Sequence, residues 1–497
     1  MRHLVVCCDG TWNTPGQTLD GVPTPTNVVR LYHALERDDD QLGYYHPGVG
    51  TGPTLVDRLA GGGLGVGVSA TIKSAYSWLA THYRDGDAIC LFGFSRGAYT
   101  VRSLSGMLSA CGLASFPEDM APSERWHEID RLYDKVYRPA RGQPAQSPPY
   151  PPPPIRFLGV WDTVGALGIP DQLGLLNLLD IDGRHRFHNT TLSPQVEHAR
   201  HAVALDEARG PFTPTLWTGI GESRPGTVRQ VWFPGDHCDV GGGHRQTGLS
   251  DCALRWMIDE AEAYAKLRFR PGMKDQVEPD PLDVLHDSCT GLFRYLGPAP
   301  RPIPLVTTGD AVADSALDRQ ARPLLAVGPY RPGRTLAVGD HAGLDVYAAR
   351  MWNDAGLYLE PGRYEFVASG EWLGAGTALG PAGTSGVDLG PSGLLRLASS
   401  LAGWWQERLR GWSHNETATF LAAPRSERAP WMALLGTVAD QRFDSNGALQ
   451  PHRSFVIGDR AEHTVERAGY LYAYANSAWG LYSHNRGAVH LTVTRLG

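Results

Sequence analysis

The chain has 497 residues, enough for two or more domains. With 42% hydrophobic and 20% charged residues it is excluded from wholesale disorder. A net charge of −7 and a pI near 6.2 exclude broad nucleic-acid binding, which needs a basic surface to neutralise phosphates.

Taken in chain order, the elements begin with an apolar strand, His3–Cys8, too short for a signal peptide. Thr26 or Asn27 caps a helix over 26–36, with Val28, Leu31 and Leu35 at helical spacing. A strand is expected over 43–46 and a helix over 69–83. Between them Gly61–Gly67 imitates a phosphate-binding loop. Gly62 and Gly67 have the spacing, but Val68 stands where lysine is required, so a plain glycine loop is expected.

A continuous apolar strand over 88–92 follows, then Gly93-Phe94-Ser95-Arg96-Gly97, then a helix over 98–111. G-x-S-x-G alone is a weak signal in a glycine-rich chain; between a buried strand and a helix it is a nucleophile elbow. The glycines remove Cβ atoms where strand and helix crowd. The turn exposes the Ser95 hydroxyl and aims the Arg96 amide at a developing oxyanion. The proline-dense stretch over 142–154 is a surface excursion.

The strand Ile155–Trp161 delivers Asp162 at its end, where a carboxylate can orient an imidazole. Asp206 is the runner-up acid. A strand over 230–233 leads into a glycine-rich loop carrying His237, the candidate general base, with His286 as the alternative. Asp239 and Gly241–Gly243 are expected to shape that loop. The order Ser95, Asp162, His237 is that of α/β-hydrolases. Gly10 and Thr11, after the first strand, are candidates for the second oxyanion donor. Each residue has a structural alternative: a tight turn for Ser95 and Gly10, a helix cap for Asp162, a core imidazole for His237. Strand–helix alternation predicts an α/β fold with a mostly parallel sheet.

Beyond about residue 336 the pattern changes to short strands split by Gly and Asn turns, the signature of an all-β sandwich. Within it, Leu394–Trp412 places Leu394, Leu397, Leu401, Trp405, Leu409 and Trp412 on one helical face. This amphipathic segment suits packing on its own domain or resting on a membrane surface. Seven cysteines, an odd number with no C-x-x-C pair, suit a reduced cytoplasm and give no zinc motif. No cofactor or metal is implied. The chain is expected to be cytoplasmic as made, with export independent of a signal peptide left open.

The blocks CCDGTWN, TNVVRL, GFSRGAYTVR, FLGVWDTVGALGIP, HAVALDEARGPF and WFPGDHCDVGGGH resemble an α/β-hydrolase family of bacteria and fungi that includes the type VI secretion phospholipase effectors. The resemblance covers about residues 1–336. It implies a Ser-Asp-His triad on Ser95, Asp162 and His237, and hydrolysis of carboxylic esters, phospholipid acyl esters foremost. The remainder, 337–497, resembles the galactose-binding bacterial lectin β-sandwich, with the 390–412 segment inserted. Ser477, Leu481, His484 and Asn485 take the lectin's calcium-ligand positions. Only Asn485 offers a usual oxygen, so the resemblance implies that fold without that calcium site.

The expected function is therefore a serine ester hydrolase of phospholipase type. A small-molecule esterase or thioesterase, and a glycan- or protein-binding module with a vestigial hydrolase, are the alternatives. Expected partners are a lipid or ester substrate, a membrane surface or glycan at the C-terminal part, and a secretion-system or immunity protein.

Overall fold

A computed structural model describes the chain except residues 11–12, 49–63, 141–146, 166–191, 219–226, 291–292, 294–297, 324–327, 375, 385–424, 427 and 444–448. Thr11 and the Leu394–Trp412 segment lie outside the described residues.

The N-terminal part is built on six strands: β1 (His3–Cys8), β2 (Gln41–His46), β3 (Ala88–Phe94), β4 (Ile155–Trp161), β5 (Val196–Ala204) and β6 (Val228–Phe233). All neighbours are parallel, in the order β2-β1-β3-β4-β5-β6. The connecting helices include α1 (Asn27–Ala34), α2 (Leu64–His82), α3 (Arg96–Cys111), α4 (Gly248–Glu260) and the short His237–Gly241.

Because successive side chains of a strand point to opposite faces, each central strand feeds two cores. Leu4, Val6, Ile89, Leu91, Leu158 and Val160 join α2 and α3 on one face. Val5, Cys7, Cys90, Phe92, Phe157 and Trp161 join α1 and α4 on the other. Covering both faces is what makes the strands read as unbroken apolar runs. The α/β expectation is correct.

Thr26 caps α1, its side chain accepting from the Val29 amide. Gly61–Gly63 of the expected glycine loop lie outside the described residues, and Gly65 and Gly67 fall inside α2, which begins at Leu64. β5 was not anticipated, because its sequence VEHARHAVA interrupts the apolar run with His198, Arg200 and His201. Arg200 and His201 are nonetheless fully buried. Arg200 is neutralised by Glu260, and the His201 ring nitrogens face the Thr163 amide and the Gln230 side chain. Polar residues inside a parallel strand are tolerated on such terms.

The C-terminal part is antiparallel throughout. One sheet runs Asn353–Leu359, Gly469–Ala475, Leu434–Asp440, Ser454–Val456 in spatial order. The other runs Thr377–Leu379, Gly362–Gly374, Arg486–Arg495, His341–Tyr347, with Arg460–Val465 also paired to Gly362–Gly374. A core containing Val346, Tyr364, Phe366, Trp372, Leu434, Leu471 and Leu491 draws on both sheets. A further cluster links the two parts: Val203 and Trp232 from the parallel sheet, with Leu205 just past β5, meet Ile303, Val306, Ala439, Tyr470 and Tyr472. Among the described residues no helix is long and apolar enough to cross a membrane.

Candidate active site

The carboxyl edge of a parallel sheet is where open α/β folds hold their ligands, and the candidate residues gather there. β3 and β4 pair with Phe94 opposite Trp161, so Ser95 and Asp162 are the residues just past two neighbouring strand ends. The Ser95 amide donates to the Trp161 carbonyl at 3.0 Å, and the Asp162 amide donates to the Ala202 carbonyl at 2.7 Å. Both residues have positive φ, 56° for Ser95 and 36° for Asp162. Such strain in non-glycine residues persists only where the surroundings enforce it.

The surroundings of Ser95 do so through its glycines. A Cβ on Gly93 would lie 2.5 Å from the Gly97 carbonyl oxygen, and one on Gly97 would lie 2.1 Å from the Cys8 carbonyl oxygen. Strand, turn and helix therefore meet backbone to backbone. Gly10 sits over the same turn, its Cβ position 3.3 Å from the Ser95 Cβ.

The imidazole arrives from the other side. His237 is the first residue of a short helix rather than part of a loop. Asp236 caps that helix, and Asp239 returns a bond to the Asp236 amide. The His237 ring lies against Phe94 at 4.5 Å between centroids, and against the edge of Phe212 at 5.1 Å. His237 Nδ1 bonds Asp162 Oδ2 at 2.6 Å, which leaves Nε2 as the ring nitrogen able to act as a base. Asp162, His237 and Ser95 are 0%, 4% and 7% exposed.

Sequence reasoning missed Arg301. Its guanidinium holds Asp162 with two bonds, Nη1 to Oδ1 at 2.6 Å and Nη2 to Oδ2 at 2.9 Å. It also donates to the carbonyls of Ala204 and Phe212. Oδ1 accepts a further bond from the Ala204 amide at 3.0 Å. Burial would raise the Asp162 pKa, but Arg301 and His237 outweigh it and hold the carboxyl well below the usual range. No motif marks Arg301; only its setting among alternating prolines, Pro298, Pro300, Pro302 and Pro304, distinguishes it.

The Arg96 amide belongs to the first turn of α3, where a helix supplies no acceptor of its own. The Gly10 amide already donates to Asp9 Oδ1 at 2.7 Å, so it serves an oxyanion only by giving that bond up. Asp9 is buried, and its other oxygen accepts from Thr26 and Tyr45 at 2.8 Å each. Asp206 is drawn away from His237 by Arg331, Tyr330 and the Gly235 amide.

His286 pairs with Asp239 at 2.6 Å and stacks on His244 with ring centroids 3.7 Å apart. Asp239, His244 and His286 bring three potential metal-ligand atoms within 4.8 Å of one another. A metal bound to imidazole lies near the plane of the ring, and two stacked planes share no such point. Each imidazole instead bonds a carboxylate, His244 to Asp236 and His286 to Asp239. Around the lectin-like positions, Asn485 is buried and its amide donates to the Ala348 carbonyl at 3.3 Å.

Side chains from two neighbouring strand ends and a capped helix thus converge at one edge of the parallel sheet. The profile described as T6SS, Phospholipase effector Tle1-like, catalytic domain matches residues 2–260. The chain belongs to that family of type VI secretion phospholipase effector catalytic domains. An uncharacterized protein of Saccharomyces cerevisiae, YEL023C, is 32% identical over 243 residues, covering 44% of this chain; the chain spans about a third of that relative's length, 33%.

Among solved structures, an uncharacterized protein from Pseudomonas aeruginosa is 21% identical, with 56% of this chain and 49% of that one covered and a TM-score of 0.34. A Tle1 effector bound to the VgrG spike of the type VI secretion system is 20% identical, with 50% and 52% covered and a TM-score of 0.29. The N-terminal domain of EclA, a PllA-like lectin, is 18% identical, with 31% of this chain and 94% of that one covered and a TM-score of 0.18. Overlaps this low carry no residue assignment from those structures to this one.

Proposed function

We propose that the protein is a serine hydrolase that cleaves carboxylic esters, phospholipid acyl esters foremost. Ser95 is the nucleophile, His237 the base and Asp162 its partner. Ser95 Oγ attacks the ester carbonyl while His237 Nε2 takes its proton. The Arg96 amide, with Gly10 or Thr11, stabilises the tetrahedral oxyanion. His237 then protonates the departing alcohol, and water activated by the same imidazole releases the acid. Asp162 keeps the proton on Nδ1 and balances the imidazolium.

The observation that carries this reading is the buried 2.6 Å bond between Asp162 and His237, with His237 against Phe94, the residue before the strained Ser95. Family membership supports a lipase-type activity and makes a secretion-system protein a proposed partner. We also propose the division into a hydrolase domain, 1–336, and a lectin-like β-sandwich, 337–497, that docks on a membrane surface or glycan.

The test is Ser95→Ala in the full chain. Fatty-acid release from phospholipid vesicles is expected to fall by at least about 1,000-fold, and a fluorophosphonate probe is expected to label Ser95 in the parent and nothing in the variant. Retained hydrolysis refutes the mechanism. A second reading draws on the burial of Ser95 and His237, which suits a small soluble ester or thioester. Turnover of soluble esters with none on vesicles would favour it.

A further inference from the structure

Arg301 sits in the run Pro298-Ala299-Pro300-Arg301-Pro302-Ile303-Pro304. Alternating prolines fix φ at every second residue and remove their amide donors, so the run is a stiff extended strap whose carbonyls seek donors elsewhere. Residues flanking three strands of one C-terminal sheet, Asn353–Leu359, Leu434–Asp440 and Ser454–Val456, supply them. Trp352 Nε1 donates to the Pro298 carbonyl at 2.6 Å, His452 Nε2 to Pro300 at 2.6 Å, and Gln441 Nε2 to Pro302 at 3.1 Å. Further along, the Val306 amide donates to the Tyr470 hydroxyl at 3.1 Å. Ile303 and Val306 are buried in the apolar cluster that joins the two parts of the molecule. One set of contacts grips the strap from the C-terminal side, while Arg301 reaches from it into the catalytic side and clamps both oxygens of Asp162.

We propose that Arg301 is a positioning residue for hydrolysis, and that the C-terminal sheets set the orientation of Asp162 by holding the proline strap. The proposal rests on the Ser95–His237–Asp162 reading. Saturating the carboxylate with donors stops it rotating or taking a proton, and fixes the oxygen that receives His237 Nδ1–H. An imidazole held by a wandering partner loses its line to Ser95, and small misplacements of reacting groups are costly.

Among the described residues, these charged and titratable groups surround the pair. Arg301 comes from the strap, His201 from β5, and Asp236 and Asp239 from the short helix. Glu207 faces the His237 amide and is itself paired with Arg209. Of these, Arg301 is the cation bonded directly to Asp162, so its removal strips positive charge from beside the imidazole and favours imidazolium. The acid limb of the kcat/KM profile then moves to higher pH.

The experiment uses the full chain and a soluble p-nitrophenyl ester, so that surface binding plays no part. Arg301→Gln is expected to lower kcat by about 100-fold, with KM within about twofold and the acid limb displaced upward. Arg301→Lys restores part of kcat and returns the limb toward its original position. The remote double variant Gln441→Ala/His452→Ala, which leaves the catalytic side chains intact, lowers kcat in the same sense by about 3- to 10-fold and adds nothing in the Arg301→Gln background.

A merely structural role for Arg301 predicts lower stability with neither pH displacement nor this coupling. Parental kcat and pH profile in Arg301→Gln, with Ser95→Ala inactive, overturn the proposal; activity in Ser95→Ala overturns the reading beneath it. If Arg301→Gln does not fold, the double variant decides: parental kcat overturns the proposal, and reduced kcat with unchanged KM supports it.

Discussion

Gly97 leaves no room for a side chain. The Cβ of an alanine there would lie 2.1 Å from one backbone oxygen and 2.6 Å from another, those of Cys8 and Asp9. Neither oxygen retreats easily, because Cys8 ends β1, which is paired on both sides, and the Asp9 amide that follows is itself bonded to the His46 carbonyl at 3.0 Å. Gly97→Ala is expected to cost about 2–4 kcal/mol, the range of severe overpacking, and a urea titration followed by fluorescence checks it. A midpoint equal to the parent's would mean that the strand–turn–helix crossing is looser than described.

His201 is fully buried. Burial pushes its pKa down to about 3, against about 6.5 in an unfolded chain. Between those values the unfolded state binds the proton and the folded state does not, so stability falls as pH drops from about 6.5 toward 3. Thermal unfolding followed between pH 7 and 4 is expected to show this slope, flattened in His201→Gln. An equal slope in the variant would assign the acid lability to other groups.

At the scale of elements, what was legible followed from periodicity and from steric necessity. β1, β3 and β4 are buried on both faces and announce themselves as apolar runs. The elbow announces itself because only glycine fits two positions before and two positions after Ser95. The cap was readable only as Thr26 or Asn27; the structure gives it to Thr26, whose hydroxyl accepts from the Val29 amide and donates to Asp9. β5 was hidden because the partners that make Arg200 and His201 acceptable come from elsewhere, Glu260 on α4 and Gln230 on β6. His237 looked like a loop residue because its helix is only five residues long and is made by the Asp236–Asp239 cap rather than by an amphipathic pattern. Arg301 was illegible for a similar reason: it lies 139 positions from Asp162, and nothing local to 298–304 says what the arginine meets. In the C-terminal part, His341–Tyr347 buries only Ala342 and Val346, and Arg460–Val465 only Val465, among exposed or half-buried residues, so their strand character emerges from pairing.

At the scale of the whole molecule, the expected boundary near residue 336 does not separate two self-sufficient surfaces. Val203 and Trp232, on the last two strands of the parallel sheet, and Leu205, just past the end of β5, share one apolar cluster with Ala439, Tyr470 and Tyr472. The polar rim of that junction is equally shared. Asp206 accepts from Arg331 and Tyr330, and Arg331 also donates to the Tyr472 hydroxyl at 2.8 Å. A chain ending at Leu336 keeps all the candidate catalytic residues and the strap. It loses Tyr470, Tyr472, Trp352, Gln441 and His452, leaving an apolar patch open and Arg331 without its tyrosine. Such a patch favours association between molecules. The truncated chain is therefore expected to bind a hydrophobic dye, to melt at least about 5 °C below the full chain, as a loss of a few kcal/mol implies for a domain of this size, and to label more slowly with fluorophosphonate at Ser95. A truncated chain that is monomeric, melts with the parent and labels at the parental rate would show that the C-terminal sheets are a passive appendage.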